Sequence, residues 1–328
     1  VAGVTVLLLM AGTTLQAQQI LPLDSAINNA LREHPALQNA NLQVRAAELG
    51  IEGARRIPAA NFNLSVGQLD GRLVDFNLNA SQSLGNLAAD KQRKEVARAN
   101  VALSESERAL RIRQISYQVQ QYWYNWIYQN ERADLLEQQQ DLYETVVERA
   151  DLQLNAGEIN RLDKTLADNQ LLQTTKALTS AQTDAQRAYT QLRQAAFLAE
   201  NYEPPRDACD ALPLPVTEQV NATLTTPLQR QINVAQANTI LQEKQIAPRF
   251  SFGYFLLSLR PRFPLHGVTA GVSLPIFNKP QRARIEQTRV QEMIAQNDLQ
   301  LANLELERQR ELAREQALLL QNQLNTSG

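Results

Sequence analysis

The sequence predicts an α+β fold in which long antiparallel coiled-coil helices alternate with two β-hairpins, and three observations support this. Glycine and proline, which disfavour helix interiors, contribute only 12 and 13 of the 328 residues. Apolar residues recur at steps of three and four along several segments, as they do in coiled-coil seams. Two pairs of short segments alternate instead between apolar and polar residues, which indicates β-hairpins.

The first predicted helix of each half ends near a proline. Pro58 and Pro248 follow the two apolar stripes. Because proline disfavours the helical conformation in the residue before it, we expect both helices to end ahead of these prolines. The stripe of the first half consists of Leu37, Ala40, Val44, Ala47, Ile51 and Ala54.

Each of these helices is followed by a pair of segments with an alternation period of two. In the first half they are NFNLSV (61–66) and DFNLNAS (75–81), and an Asp-Gly pair at 70–71 favours a tight turn between them. In the second half they are RFSFGYF (249–255) and VTAGVSL (268–274). Alternation of this length fits either a half-buried soluble strand or a transmembrane β-strand.

A long helical hairpin follows the first pair of strands. No glycine or proline interrupts residues 91–149, and their apolar stripe predicts one helix of about 90 Å at about 1.5 Å per residue. Gly157 marks a turn, and a second stripe predicts a return helix over residues 159–197. The first stripe consists of Ile112, Ile115, Val119, Tyr122, Trp126, Ala133, Leu136, Tyr143, Val147 and Ala150, and the second of Leu171, Leu178, Ala181, Ala185, Ala188, Leu192 and Ala195. Since so thin a stripe cannot be buried within one chain, we expect neighbouring subunits to cover it.

The two halves align at a nearly constant offset of about 190 residues, which predicts an internal duplication. Val44 falls on Val234 and Pro58 falls on Pro248. By this offset the second return helix would lie beyond Gly328, so we expect the second repeat to be incomplete here. The resulting domains are a signal-like segment (1–17), a first repeat (18–199), a proline-containing linker (200–226) and a second repeat (227–328).

The first seventeen residues resemble the end of an export signal. An apolar run over residues 4–10 is followed by small and polar residues and by Ala17, which suits signal-peptidase cleavage. The run is too short to span a bilayer. The chain opens with Val1 and lacks a basic leading region, so we expect sequence to be missing at this end as well.

The composition offers little for chemistry. A net charge of −2 without a basic block indicates that nucleic acid is not a partner. His34, His266 and Cys209 lie far apart in the sequence and have no metal-ligand spacing, so we predict no metal and no cofactor. No nucleophile–base pair or phosphate-binding loop is recognisable, so we predict that the protein is not an enzyme.

Four features together resemble those of the TolC-like outer-membrane efflux proteins. Within that family the resemblance is greatest to channels of the heavy-metal efflux type. The four features are the junction GVSLPIFNKPQRARI (271–285), the turn LNAGEINRLD (154–163), the opening LPLDSAINNALREHPAL (21–37) and the duplicated element order. The resemblance covers about residues 21–325. It implies an α+β membrane protein and a homotrimer, whose protomers each contribute two β-hairpins to a shared transmembrane barrel in the outer membrane. The helices would extend into the periplasm.

The same resemblance implies a function and specific residues. The protein would be the passive exit duct of a tripartite efflux system, with a periplasmic adaptor, an inner-membrane pump and outer-membrane lipid as partners. Pro275 would set the strand-to-helix junction, and Asp163 would contribute to a periplasmic constriction. The adaptor-contact tip would consist of Ala156, Gly157, Glu158 and Ile159. The lipid-facing barrel residues would be Phe62, Leu64, Val66, Phe76, Leu78, Val268, Ala270, Val272 and Leu274.

One alternative belongs to a different class of protein. The chain could be a soluble periplasmic coiled-coil scaffold or adaptor, with each hairpin forming a small β-ribbon. An adaptor would bring globular β-domains next to its helices, and none is recognisable in the sequence. In the barrel that the resemblance implies, the polar residues of the strands would face a water-filled lumen. They are Asn61, Asn63, Ser65, Asn77, Asn79, Thr269 and Ser273.

Overall fold

The computed structural model describes residues 19–54, 58–68, 74–199, 202–205, 218–258, 265–274 and 278–327. Several predicted features lie outside these described residues. They are the signal-like segment 1–17, the turn pair at 70–71, residues 206–217 of the linker, and Pro275.

The described part of the chain is mostly helical, with a small antiparallel sheet. The helices are α1 (Leu23–Glu33), α2 (Pro35–Gly53), α3 (Leu87–Ala156), α4 (Arg161–Ala196), α5 (Glu218–Lys244) and α6 (Lys279–Ser327). The strands are β1 (Gln19–Ile20), β2 (Asn61–Gly67), β3 (Asp75–Gly85), β4 (Tyr202–Glu203), β5 (Arg249–Ser258) and β6 (Leu265–Ser273).

The first of two compact units comprises residues 1–35 and 112–214. Its main feature is the antiparallel pairing of α4 with the C-terminal part of α3. The ring centroids of Trp126 and Tyr189 lie 5.2 Å apart. About one and a half turns further along, a guanidinium nitrogen of Arg132 lies 3.9 Å from the carboxylate of Asp184. The indole N–H of Trp123 donates to the carbonyl of Leu21 at 3.1 Å, which ties the segment before α1 to α3.

Part of the predicted apolar stripes is buried within this helical pair, which corrects the expectation that one chain cannot bury them. Leu178, Ala181 and Leu192 of α4 are buried, as are Val119 and Ala133 of α3. The many alanines let the two backbones approach closely, so the seam is narrow. This confirms the predicted seam at those positions, and the structure adds Trp123, Ile127 and Tyr189, which the stripe missed.

The second compact unit comprises residues 36–111 and 215–328. It contains a four-stranded sheet together with α2, α5, α6 and the N-terminal part of α3. Two glutamine side chains connect its helices through backbone carbonyls. Gln281 of α6 donates to the carbonyl of Gln242 at 2.9 Å, and Gln92 of α3 donates to the carbonyl of Ala237 at 3.2 Å.

Some boundaries differ from the sequence prediction. Strand β3 continues four residues beyond 81, to Gly85, because its last residues pair with β5 rather than with β2. Helix α5 begins at Glu218, so the end of the predicted linker 200–226 is helical, which corrects that part of the prediction. Pro227 lies inside this helix. A proline removes one helical hydrogen bond, but Pro227 is buried, so packing offsets the loss.

Candidate functional site

The four-stranded sheet of the second unit has two chemically different faces. Its strands run in the order β2-β3-β5-β6, and every neighbouring pair is antiparallel. Ala80 lies opposite both Phe62 and Tyr254, and Tyr254 lies opposite Val268. Since directly opposite residues share a face and successive residues alternate, this register assigns each residue to one side of the sheet.

One face of the sheet is apolar and exposed. Phe62 is 73% exposed and Val268 is 85% exposed. An antiparallel sheet in a soluble domain buries its apolar face, whereas a large exposed apolar patch marks a protein or membrane contact. The residues predicted from sequence to share a face do so, and within the strands they are Phe62, Leu64, Val66, Phe76, Leu78, Val268, Ala270 and Val272. Leu274 follows β6 and lies outside the strand.

The sequence-based list of apolar-face residues missed those of β5. Phe252 lies opposite Ala270, and Phe250 lies opposite Val272. Tyr254 and Leu256 complete the row, because they lie opposite Ala80 and Leu78 of β3. The alternation in RFSFGYF carried this signal, and so did the 190-residue offset, which aligns Phe62 with Phe252.

The opposite face is mostly polar, and its side chains lie close to glycine backbones. Three apolar residues share it at the end of the sheet away from the helices: Phe255, Leu257 and Leu265. A β-carbon at Gly253 would lie 2.6 Å from Oγ1 of Thr269, and one at Gly271 would lie 2.7 Å from Oγ of Ser251. Glycine at such positions marks the close approach of a neighbouring group. The seven polar residues predicted to face a lumen share this face: Asn61, Asn63, Ser65, Asn77, Asn79, Thr269 and Ser273.

All four strands meet the helices at the same end of the sheet. Strands β2 and β5 begin there after α2 and α5, whereas β3 and β6 end there before α3 and α6. At the first junction Gly85 has a φ of 67°, and Asn86 accepts a hydrogen bond from the amide of Ala89. The Asn86 side chain also donates to the carbonyl of Lys244 at 2.8 Å. A glycine and an asparagine therefore make this turn without proline.

The turn between α3 and α4, in the first unit, ends α3 with two backbone hydrogen bonds. Gly157 has a φ of 78°, which favours glycine, and its amide donates to the carbonyl of Leu154 at 3.0 Å. The amide of Glu158 donates to the carbonyl of Gln153 at 2.9 Å, which completes a Schellman motif. Ala156, Gly157 and Glu158 are exposed and Ile159 is half-buried, so the predicted tip is available for contact.

Asp163 has a structural role at the start of α4. Its amide donates to the side-chain oxygen of Asn160 at 2.9 Å, and its carboxylate accepts from the amide of Asn160 at 3.4 Å. This reciprocal pair is a capping box. Nearby, Nζ of Lys164 lies 2.9 Å from the carboxylate of Asp151 on α3, and this hydrogen bond raises the pKa of Lys164.

The described residues contain neither a membrane-spanning helix nor a cluster of metal ligands. No helix in the described ranges is both long enough and apolar enough to cross a membrane. Among the described side chains, no cluster of three or more His, Cys, Asp or Glu residues is arranged to hold a metal ion.

A comparison with known families identifies the chain. The family model for outer membrane efflux proteins matches residues 26–196, which is just over half of the sequence. The chain belongs to the outer membrane efflux protein family. This confirms the resemblance to TolC-like efflux proteins that the sequence motifs indicated.

Solved structures of three channels are similar to this efflux protein in fold. CusC is 17% identical, with a TM-score of 0.69 and a match covering 84% of this chain and 71% of CusC. The outer-membrane channel OprN is 16% identical, with a TM-score of 0.70 and coverage of 86% and 71%. The outer membrane channel CmeC of Campylobacter jejuni is 12% identical, with a TM-score of 0.67 and coverage of 86% and 67%. No curated protein matches the chain significantly.

Family membership answers the main question left open by the sequence. The protein is an outer-membrane channel of a tripartite efflux system, and its helices extend into the periplasm. The family consists of passive channels. The alternative of a soluble periplasmic scaffold or adaptor is not favoured.

Proposed function

We propose that three copies of this efflux protein close their sheets into one transmembrane barrel that serves as a passive exit duct. The observation that carries this proposal is that one face of the four-stranded sheet is apolar and exposed while the other face is mostly polar. This pattern is typical of a barrel with lipid outside and water inside. Because lipid offers no hydrogen bonds to the backbone, a sheet within it must close on itself.

The two outer strands of the sheet have free edges that could pair with neighbouring protomers and so close the barrel. Strand β2 pairs only with β3 and β6 only with β5 among the described residues, so each has one side without a strand partner. In a homotrimer, β6 of one protomer would pair with β2 of the next, and four strands per protomer would give a twelve-stranded barrel. An open edge of this length is otherwise prone to aggregation.

The element order supports the proposal of an internal duplication. Helix, two strands and helix follow one another as α2-β2-β3-α3 and again as α5-β5-β6-α6. The proposed domains remain 1–17 as a signal-like segment, 18–199 and 227–328 as repeats, and 200–226 as the segment between them, now with a helical end.

The residues at the sheet take roles from this arrangement. We assign the lipid contact to the apolar face, and we add the β5 residues Phe250, Phe252, Tyr254 and Leu256 to it. The polar face would line the lumen. Pro275 lies outside the described residues, and we propose that it sets the turn from β6 to α6, where Gly85 and Asn86 act at the first junction.

The turn around Gly157 is the proposed contact for the periplasmic adaptor. Its exposed residues Ala156 and Glu158 and its half-buried Ile159 would meet the adaptor, which in turn would couple the duct to an inner-membrane pump. Asp163 remains a candidate for the periplasmic constriction. Its capping box with Asn160 gives it a second role, so a substitution there would alter the start of α4 as well as any constriction.

The proposed function is tested by fractionation and extraction. Expressed in a Gram-negative cell, the protein should sediment with outer membranes, resist salt extraction and be released by detergent. Its detergent-solubilised mass, corrected for bound detergent, should be three times that of one chain, because the barrel closes only as a trimer. A monomer that remains in the soluble periplasmic fraction would contradict the proposal.

A further inference from the structure

Arg249 is placed where a charge can act on anything that passes through the proposed lumen. It is the first residue of β5, at the end of the sheet where the strands meet the helices. Its direct partner across the ladder is Ser273, a residue of the polar face, so the Arg249 side chain belongs to that face as well. The side chain is exposed.

The polar face carries little other charge. Within the described strands β2, β3, β5 and β6, its one other ionisable residue is Asp75. Asp75 lies at the opposite end of the sheet, opposite Gly67, and is only 1% exposed, so its carboxylate is withdrawn from the surface. Among these strands Arg249 is therefore the exposed charge of the polar face.

The surroundings of Arg249 do not neutralise it. Ser273 lies opposite, Ser251 is two residues along the same face, and Gly271 is on the diagonal. These residues are small and uncharged. Arg249 is exposed, and the ion pairs between described residues do not include its guanidinium. The position 190 residues earlier is Ala59, which carries no charge, so within the described parts of the four strands and the residues just before them each chain contributes one such arginine.

We propose that Arg249 and its two copies form a ring of positive charge at the helix end of the barrel lumen, and that this ring makes the duct favour anionic solutes over cations. The inference rests on the proposed trimeric barrel. Rings of arginine or lysine select anions in other pores by the same electrostatic principle. Arg249 is thus a specificity-determining residue that acts on the charge of the solute.

The strength of the ring depends on the width of the lumen and on salt. Eight-stranded barrels are just filled by side chains and sixteen-stranded ones contain an aqueous channel, so a twelve-stranded lumen should be water-filled and narrow. The Debye length is about 30 Å at 10 mM salt but about 3 Å at 1 M salt. The field of the ring should therefore cross the lumen at low salt and be screened at high salt.

The test measures reversal potentials of channels purified from outer membranes and inserted into planar bilayers under a potassium chloride gradient near 10 mM. The chloride-to-potassium permeability ratio should fall roughly three- to tenfold in Arg249→Gln, since three unit charges are lost from the lumen wall. Arg249→Glu should lower the ratio further. The matched control Arg249→Lys keeps the charge and should keep the ratio. At 1 M salt all variants should converge.

A second measurement separates failure of this inference from failure of the barrel. Arg249→Cys, made together with Cys209→Ser, should react with a membrane-impermeant charged thiol reagent, and the reaction should change the open-channel current. Phe252→Cys on the apolar face should not respond. Open channels whose permeability ratio is equal in the wild type, Arg249→Gln and Arg249→Glu would overturn the charge ring and leave the barrel intact. An absence of channels from every variant, including the wild type, would overturn the barrel and the ring together.

Discussion

Arginine in place of Val268 is expected to destabilise the membrane-inserted protein by about 2–4 kcal/mol, the cost of placing a cation at the bilayer midplane. Val268 is 85% exposed on the apolar face and lies in the middle of β6. The penalty decreases with distance from the midplane, so Val272→Arg, nearer the strand end, should cost less. The free energy of unfolding in lipid vesicles, measured by urea titration, gives both values.

The matched control for Val268 is its neighbour Thr269, which has the opposite orientation. Thr269→Arg places the same side chain on the polar face, where water would solvate it, so the loss of stability should be small. Asn63→Arg on β2 is a second control, because Asn63 is exposed on that face as well. Equal penalties at Val268 and Thr269 would show that the two faces do not meet lipid and water as proposed.

Glu158→Arg is expected to abolish efflux while leaving the yield of assembled trimer nearly unchanged. Glu158 contributes only its backbone amide to the turn, through the hydrogen bond to Gln153, so a new side chain leaves that geometry intact. An end-on contact at a turn buries little surface, so affinity should depend on several tips acting together. Reversing the charge changes this tip in all three protomers at once. Drug or metal susceptibility of intact cells and trimer mass measure the two effects.

A control variant distinguishes the effect of a charge change at the turn from the effect of the same change on the supporting helix. Glu148→Arg makes the same charge change at an exposed position of α3 before the turn, and efflux should continue. Gly157→Val is a poor probe, because a φ of 78° strains a β-branched residue and would disturb the turn itself. Normal efflux from Glu158→Arg, together with failure to cross-link the adaptor at this residue, would contradict the assigned role of the tip.

The helical part of the fold was readable from the sequence because its signal is local. A stripe at steps of three and four, interrupted only at Gly157, predicted α3, α4 and most of their seam. The aromatic contacts across the pair were less visible. Tyr189 lies between positions of the stripe, and its burial depends on Trp126 of the other helix. Contacts of this kind combine residues that are distant in the sequence, and a repeat pattern does not encode them.

The alternation of apolar and polar residues predicted the strands, but the sequence did not predict how the two hairpins pair with each other. Period two assigned Phe62 and Val268 to apolar positions, yet only the pairing of β3 with β5 joins the two hairpins into one surface. That pairing extends β3 to Gly85 and brings Phe252 onto the apolar face. For Asp163, the resemblance to a family motif implied a role in a constriction, but it did not reveal the local role of this residue. The structure shows that Asp163 forms a capping box with Asn160.

Disulfide cross-linking between protomers tests the shared barrel most directly. Leu64→Cys in β2 is combined in turn with Val268→Cys, Ala270→Cys and Val272→Cys in β6, in a chain that carries Cys209→Ser, and a lipid-soluble oxidant is added to intact outer membranes. Disulfides form only where Cα atoms lie about 4.4–6.8 Å apart, so at least one pair should yield covalent dimers and trimers and nothing larger. The intramolecular pair Leu64→Cys with Leu78→Cys, which are direct partners across the ladder, confirms that oxidation occurs. Efficient oxidation of that control with only monomers from every β2–β6 pair would contradict a barrel shared by three chains.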